Sequence, residues 1–262
     1  MTIMSGSPLS LYRAEVNEFR AEAQATSQAF TEEDISHLPE PVQRYLRHCG
    51  YIDSPRHEMA EVIWEKSQIR LSPERGWMKL KTFQHNFISP PSRLAYMRAW
   101  MLVIPFEGRD RYRSGRGHMY GTLGRLIRIF DEDEAEIALG AAVVVLAEAL
   151  FIPDYALQDY IGWEAVDSRT ARARFIDGDV EVSGTFHFNE EGEYIRFETN
   201  DRPYKMPDGS YELVPYSIDV LSYQEQEGLR IARDVRATWH LDSGDYEYWR
   251  GSIGSIHFGT TP

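Results

Sequence analysis

Residues 132–153 read EDEAEIALGAAVVVLAEALFIP, and the folding of this stretch decides the architecture of the chain. Acidic residues crowd its start, where the free N–H groups of a helix attract negative charge. From Ile137 to Ile152 nearly every residue is apolar, as in a helix buried on all sides. The run is too short to cross a bilayer comfortably and carries Glu148. The triplet Val143-Val144-Val145 favours a strand, but the segment is long and alanine-rich, and Pro153 ends it. The reading is a buried helix over 132–150, within a helical insert over 132–157.

On both sides of that insert the pattern is β. Upstream, MAEVIWEKSQIRL (59–71), GWMKLKTFQHNF (76–87), SRLAYMRAWMLV (92–103) and FEGRDRYRSGRGHMYGTLGRLIRIF (106–130) are rich in β-branched and aromatic residues. Ser72-Pro73, Ser89-Pro90-Pro91 and Pro105 divide them, which predicts about five strands in a first meander over 56–131. Large side chains fall on both parities, so both faces of the sheet are in use, as in a sheet wrapped around a helix or a ligand. Downstream, a second meander over 160–258 is predicted, with strands at 161–167, 171–177, 179–189, 193–200, 212–223, 228–241 and 245–258. In LRIARDVRATWHL (229–241) Leu229, Ile231, Val235, Ala237, Trp239 and Leu241 share one parity, with Arg233 the exception.

Before the first strand come helices over 9–49. Residues 9–30 carry Leu11, Val16 and Phe19 as a thin apolar stripe among helix-forming residues. Thr31 with Asp34 reads as a helix start. Pro41 suits a first turn, Val42, Tyr45 and Leu46 form one face, and Gly50 fits the stop, giving a short helix over 41–49. No linker divides the chain, so one domain over 1–262 is expected.

Leu38-Pro39-Glu40-Pro41-Val42-Gln43-Arg44-Tyr45-Leu46 resembles the opening of an uncharacterised bacterial family, a domain of unknown function. Glu148 with Pro153, then Trp239 and Tyr248-Trp249-Arg250, match its later features, so the resemblance covers residues 36–258. It implies no activity and no catalytic residue. The element order also resembles the half-barrel of periplasmic lipoprotein carriers, in which a curved sheet wraps helices and lines a greasy cavity. The expected fold is α+β, mainly antiparallel β: a curved sheet or half-barrel of about 11–12 strands wrapped around helices.

The net charge of −13 repels phosphate backbones and anionic membrane surfaces, which argues against nucleic acid as a partner. The single cysteine, Cys49, forms no internal disulfide and reads as a structural thiol. With a start, MTIMSGSPLSLYRAEVNEF, that lacks the pattern of a secretory signal, it predicts a cytoplasmic protein. There is no G-x-S-x-G elbow. Gly115-Arg116-Gly117 and Gly121-Thr122-Leu123-Gly124 match no phosphate-binding fingerprint and read as bends in a curling sheet. The histidines are scattered, and His187, His240 and His257 read as surface or rim side chains, so neither a metal nor a cofactor is expected.

What remains is an interior site. Glu148 in the apolar helix needs a cationic or hydrogen-bonding partner, and Arg202 or Arg250 is expected to supply it. In Arg109-Asp110-Arg111-Tyr112 alternation predicts the arginines on a solvated face, with Asp110 and Tyr112 pointing inward. Trp100, Phe106, Met119, Trp239 and Tyr248 are expected to line a pocket. The first reading is therefore a non-enzymatic protein binding an apolar or amphipathic, lipid-like small molecule. The alternative is a hydrolase or isomerase using the buried carboxylate and arginine. The third is an interaction module that docks a partner through helix 9–30.

Overall fold

A computed structural model describes residues 6–23, 28–101 and 103–259. Three helices come first: α1 Pro8–Glu22, α2 Glu32–Ile35 and α3 Glu40–His48. The helix expected to reach Phe30 stops at Glu22; residues 24–27 of that expectation lie outside the described residues, and Ala29 pairs with Pro55 in an isolated bridge. The Thr31 start is a full capping box, with Thr31 and Asp34 each bonding the other's backbone N–H.

The first meander has six strands: β1 Met59–Ile69, β2 Met78–Phe87, β3 Ser92–Met101, β4 Ile104–Arg113, β5 Arg116–Leu123 and β6 Ile127–Glu132. The extra strand arises because 106–130 turns twice, at Ser114-Gly115 and Gly124-Arg125, all four with positive φ. Helix α4 follows over Ala135–Ala147, with 3-10 turns at Glu148–Leu150 and Pro153–Leu157. Then come β7 Ile161–Asp167, β8 Thr170–Asp177, β9 Val180–Phe188, β10 Tyr194–Thr199, β11 Pro203–Lys205, β12 Tyr211–Leu213, β13 Tyr216–Val220, β14 Tyr223–Gln226, β15 Leu229–Ala232, β16 Asp234–Leu241 and β17 Gly244–Gly259.

Thirteen strands form one antiparallel sheet in the order β6-β5-β4-β3-β2-β1-β17-β16-β13-β10-β9-β8-β7, while β11–β12 and β14–β15 are separate small hairpins. The sheet is curved and unclosed. The run expected as one strand over 228–241 breaks at Arg233, the residue that violated the parity, so its first part joins the outlying hairpin. Strand 212–223 likewise splits, with Pro215 at the break.

The two edge strands, β6 and β7, are joined by the helical insert, so the chain crosses the open side of the sheet as α4. That helix packs on β4 and β5 at one edge and on β8 and β9 at the other. It lies so close to β5 that a Cβ on Gly117 would meet the backbone of Ala138 at 2.6 Å. Tyr112 on β4 donates to Asp177 on β8 at 2.9 Å, tying the two halves together. Helix α3 adds a further wall, with Tyr45 donating to the Leu150 carbonyl at 2.6 Å. Val143, Val145 and Leu146 of α4 are fully buried in this core.

Helix α1 lies on the opposite, convex face. Tyr12, Val16 and Phe19 pack there with Phe87, Leu94 and Tyr96 as a second apolar cluster. Arg109 is therefore not solvated as expected. It is 2% exposed, and its Nε donates to Glu15 of α1 at 2.6 Å. The helix supplies both the cover and the counter-charge.

Candidate functional site

One face of α4 is left unpacked. Ile137, Gly140, Ala141, Val144 and Glu148 recur at the helical spacing and border a cavity of about 240 Å³ between the helix and the concave face of the sheet. Two larger hollows, of about 620 and 410 Å³, lie over β8–β10 and β13 but are more open and polar depressions of the surface. The inner cavity has walls from β1 to β5, β13, β16 and β17, including Met97, Met119, Ile218 and Val235.

At one end of it sits Glu148, 5% exposed. Its Oε2 accepts from Gln84 at 3.0 Å, Asn86 at 2.8 Å and Arg93 at 3.1 Å, and its Oε1 from Arg93 at 3.0 Å. Burial opposes the Arg93 charge, but the fields of Glu148 and Asp110 outweigh it and hold its pKa above the ordinary value. The partner of Glu148 is thus Arg93 and not Arg202 or Arg250. Gln84 is itself held by the Trp64 indole N–H at 3.0 Å, so the network is rigid.

Arg202, in the turn between β10 and β11, occupies a different part of the wall. Its guanidinium carbon lies 4.1 Å from the Tyr216 ring centre, 4.8 Å from Trp239 and 5.6 Å from Tyr248. Its Nη1 donates to the Tyr248 hydroxyl at 3.0 Å. Burial works against this charge, but the neighbouring tyrosines and Asp110 hold its pKa above the usual range. Asp110 faces the same space from β4. Burial pushes its pKa up against the lowering fields of Arg93, Arg109 and Arg202. Asp110 and Arg202 keep part of their surface accessible although both lie deep among protein atoms, because that surface faces the cavity.

Of the residues named from sequence, Asp110, Met119, Glu148, Arg202 and Tyr248 meet around this cavity, and Trp239 stands behind Arg202. The other four lie away from it. Trp100 is 57% exposed, because its parity is that of Leu94 and Tyr96, on the convex face, where no helix covers it. Phe106 packs on Phe130 at 6.1 Å between ring centres, outside the lining. Tyr112 is spent on Asp177 and Phe175. Arg250 points outward, donating to Gln68 at 2.9 Å and lying 4.0 Å over the Trp77 ring. A bulge causes this: Ala237 pairs with Trp249 and Thr238 with Glu247, leaving Tyr248 as the extra residue. Beyond it the parity shifts by one, so Trp249 turns in and Arg250 out.

Arg93, Gln84, Asn86, Trp64 and Trp249 were missed. Strand β2 carries a signal for two of them, since Thr82, Gln84 and Asn86 alternate cleanly with Phe83, His85 and Phe87; the polar parity is the inner one. His187 bonds Glu198, His240 bonds Ser217 and Asp245, and His257 bonds Ser255, so the three do not converge. Among the described residues no helix is long and apolar enough to cross a membrane.

The sequence profile of a family of unknown function, DUF6544, matches residues 28–251. No curated protein matches the sequence. Among solved structures, the chain is similar to a putative outer membrane lipoprotein-sorting protein domain from Vibrio parahaemolyticus, at 8% identity and TM-score 0.43, covering 78% of this chain and 86% of that one. It is similar to a LolA superfamily protein from Nitrosomonas europaea, at 10% identity and TM-score 0.42, covering 84% and 94%. A DUF1329 family protein from Desulfovibrio piger is similar at 8% identity and TM-score 0.41, covering 88% and 94%.

Proposed function

The chain belongs to this family of unknown function, and we propose that it binds a small amphipathic molecule in the cavity between α4 and the concave face of the sheet, without altering it chemically. The observation that carries the reading is the partly open hollow itself: about 240 Å³ of space with mostly apolar walls and a few charged side chains facing it. Protein interiors normally close to crystal-like density, and small-molecule sites combine apolar walls with few polar groups in this way. Gly140 supports the same reading. A glycine inside a helix costs about 1 kcal/mol relative to alanine, yet a Cβ here would meet nothing within 4 Å. Packing does not require the glycine, and a side chain much larger than alanine would fill the space beside it.

The size restricts the occupant. Liquid water takes about 30 Å³ per molecule, so 240 Å³ equals roughly eight waters. That lies just under the range of about 300–1,000 Å³ usual for ligand pockets. A single short chain or ring fits, and a lipid with several acyl chains does not.

Glu148 favours binding over catalysis. Both of its oxygens are already engaged, whereas a general base must reach the proton it takes. The docking of α1 on its own sheet likewise removes the motive for reading that helix as a partner-binding arm. We place the protein in the cytoplasm, where the lone buried thiol Cys49 stays reduced; recovery in a periplasmic fraction would overturn that placement.

Native mass spectrometry of the purified chain, with an organic extract of the same sample, tests the binding reading. A retained small mass that disappears in Ala141→Phe, with the fold intact by circular dichroism, is the expected result. A clean apo mass, an unenriched extract and no thermal shift with any amphiphile would overturn it.

A further inference from the structure

Two charged groups facing the cavity lack what the protein supplies elsewhere. Arg93 and Arg109, two other arginines held deep against this sheet, each have a buried carboxylate partner. Among the described residues none lies within 4 Å of Arg202, whose charge rests on three aromatic faces and one hydroxyl. Its remaining nitrogens are not sealed in protein, so they open to the cavity. Asp110 is the converse. Its Oδ1 is buried without a donor, and no described residue donates to Oδ2, which is left on the cavity side. A desolvated cation without an anion and a carboxylate without donors are both costly. The structure keeps both, facing one space, without letting them pair.

We propose that the ligand is a small carboxylic acid bearing a hydroxyl or amino group one or two carbons from its carboxylate. The carboxylate meets the open N–H groups of Arg202, and the neighbouring donor meets Oδ2 of Asp110. The apolar remainder runs along Gly140, Ala141 and Val144. This inference rests on the cavity reading and names the ligand class within it. Arginine suits the role because its planar fork matches a carboxylate, and the rings of Tyr216, Trp239 and Tyr248 fix the plane before the ligand arrives. Asp110 sets the second requirement: its oxygens lack donors, a simple acid brings none to them, and a hydroxyl or amino group near the acid group supplies one. A medium-length chain matches the volume better than a long or multi-chain acid.

Calorimetric titration of the delipidated full chain with octanoate, 3-hydroxyoctanoate, octanol and octylamine tests the assignment. The expected order is 3-hydroxyoctanoate first, octanoate about tenfold weaker, a difference of about 1.4 kcal/mol, and octanol and octylamine weaker again. Arg202→Met abolishes the preference for acids over octanol, and Asp110→Leu abolishes the preference for the hydroxy acid over octanoate. Arg202→Lys, which keeps the charge, retains acid binding and serves should the methionine variant fail to fold. Octanol binding as tightly as the hydroxy acid, or unchanged acid binding in Arg202→Met, overturns the head-group assignment and leaves the cavity reading intact. Failure of all four probes to bind the folded chain overturns the cavity reading beneath it.

Discussion

The two faces of the sheet each carry a helix, a buried carboxylate and a buried arginine, yet only one face leaves room. On the convex side, α1 lays Tyr12, Val16 and Phe19 onto the strands, and Glu15 meets Arg109 with both side chains almost wholly buried. The buried carboxylates there each have a cation beside them, Glu15 with Arg109 and Glu107 with Arg125, although Oε2 of Glu107 and the Thr122 hydroxyl are buried without a partner. On the concave side, Glu148 is answered by Arg93, Gln84 and Asn86, but Arg202 and Asp110 face the cavity. Buried charge alone therefore does not mark a functional site in this molecule. What sets the concave side apart is charge that faces the cavity with no counter-charge within 4 Å among the described residues.

The largest effects should separate the two carboxylates. Glu148→Ala removes the carboxylate that neutralises the Arg93 cation and accepts from Gln84 and Asn86. Breaking a buried pair of this kind costs about 3–5 kcal/mol, so the midpoint of chemical denaturation should fall accordingly. Glu15→Ala strips Arg109 in the same way, but α1 can peel from the sheet and let water reach the cation. Its cost is capped by the docking energy of that helix. Hydrogen exchange should then show α1 amides exposed while β8–β10 stay protected. Equal loss of protection across both regions would break the comparison.

A pH effect of somewhat smaller size belongs to the convex face alone. His85, 7% exposed at its side chain, accepts from or donates to Tyr12 at 2.7 Å and touches Arg20, both on α1, with Glu61 of β1 3.9 Å away. Burial first, and then the Arg20 charge, lower its pKa to about 4. The undocked residue titrates near 6.5, so between those values the undocked state binds more protons. Docking of α1 is thus fully stable above about pH 6.5 and weakens as the pH falls towards 4, by on the order of 3 kcal/mol at the end of that window. Asp154 follows the opposite trend: burial lifts its pKa to about 7, so protonation on acidification relieves a penalty in the core. Exchange of the α1 amides against pH isolates the His85 effect, and flat protection between pH 6.5 and 4.5 would count against it.

The sequence carried the architecture because its strongest signals were long ones. The Ala-rich apolar run at 137–152 has no solvated side, and strands on both sides of it need a common core, so a sheet around a helix follows. Arg233 even marked its own break by violating the parity of LRIARDVRATWHL. The site was legible only where a residue was chemically odd in context, as Glu148 is in an apolar helix. Arg93, Gln84 and Asn86 escaped because polar residues alternating with apolar ones ordinarily face water, whereas α1 reverses that rule by covering the apolar parity of β2 from outside. Arg250 misled for a subtler reason. One extra residue at Tyr248 turns the rest of β17 over, and a bulge leaves no composition signature.

The smallest predicted effect bears most directly on why one face is left open. If the concave side is under-packed for the sake of an occupant, then stability has been given up at Gly140. Gly140→Ala adds a Cβ that meets nothing within 4 Å and removes the entropic cost of a glycine in a helix interior. It should stabilise the empty protein by about 0.5–1 kcal/mol, read as a higher denaturation midpoint, while 3-hydroxyoctanoate still binds. Gly140→Leu projects into the same space and should keep the midpoint gain only in part while abolishing ligand binding. A substitution that improves the fold and a larger one that silences the site are not expected together at a packed core position. Loss of stability in Gly140→Ala would mean that this face of α4 is filled like the face beneath α1, and the distinction between the two sides of the sheet would disappear.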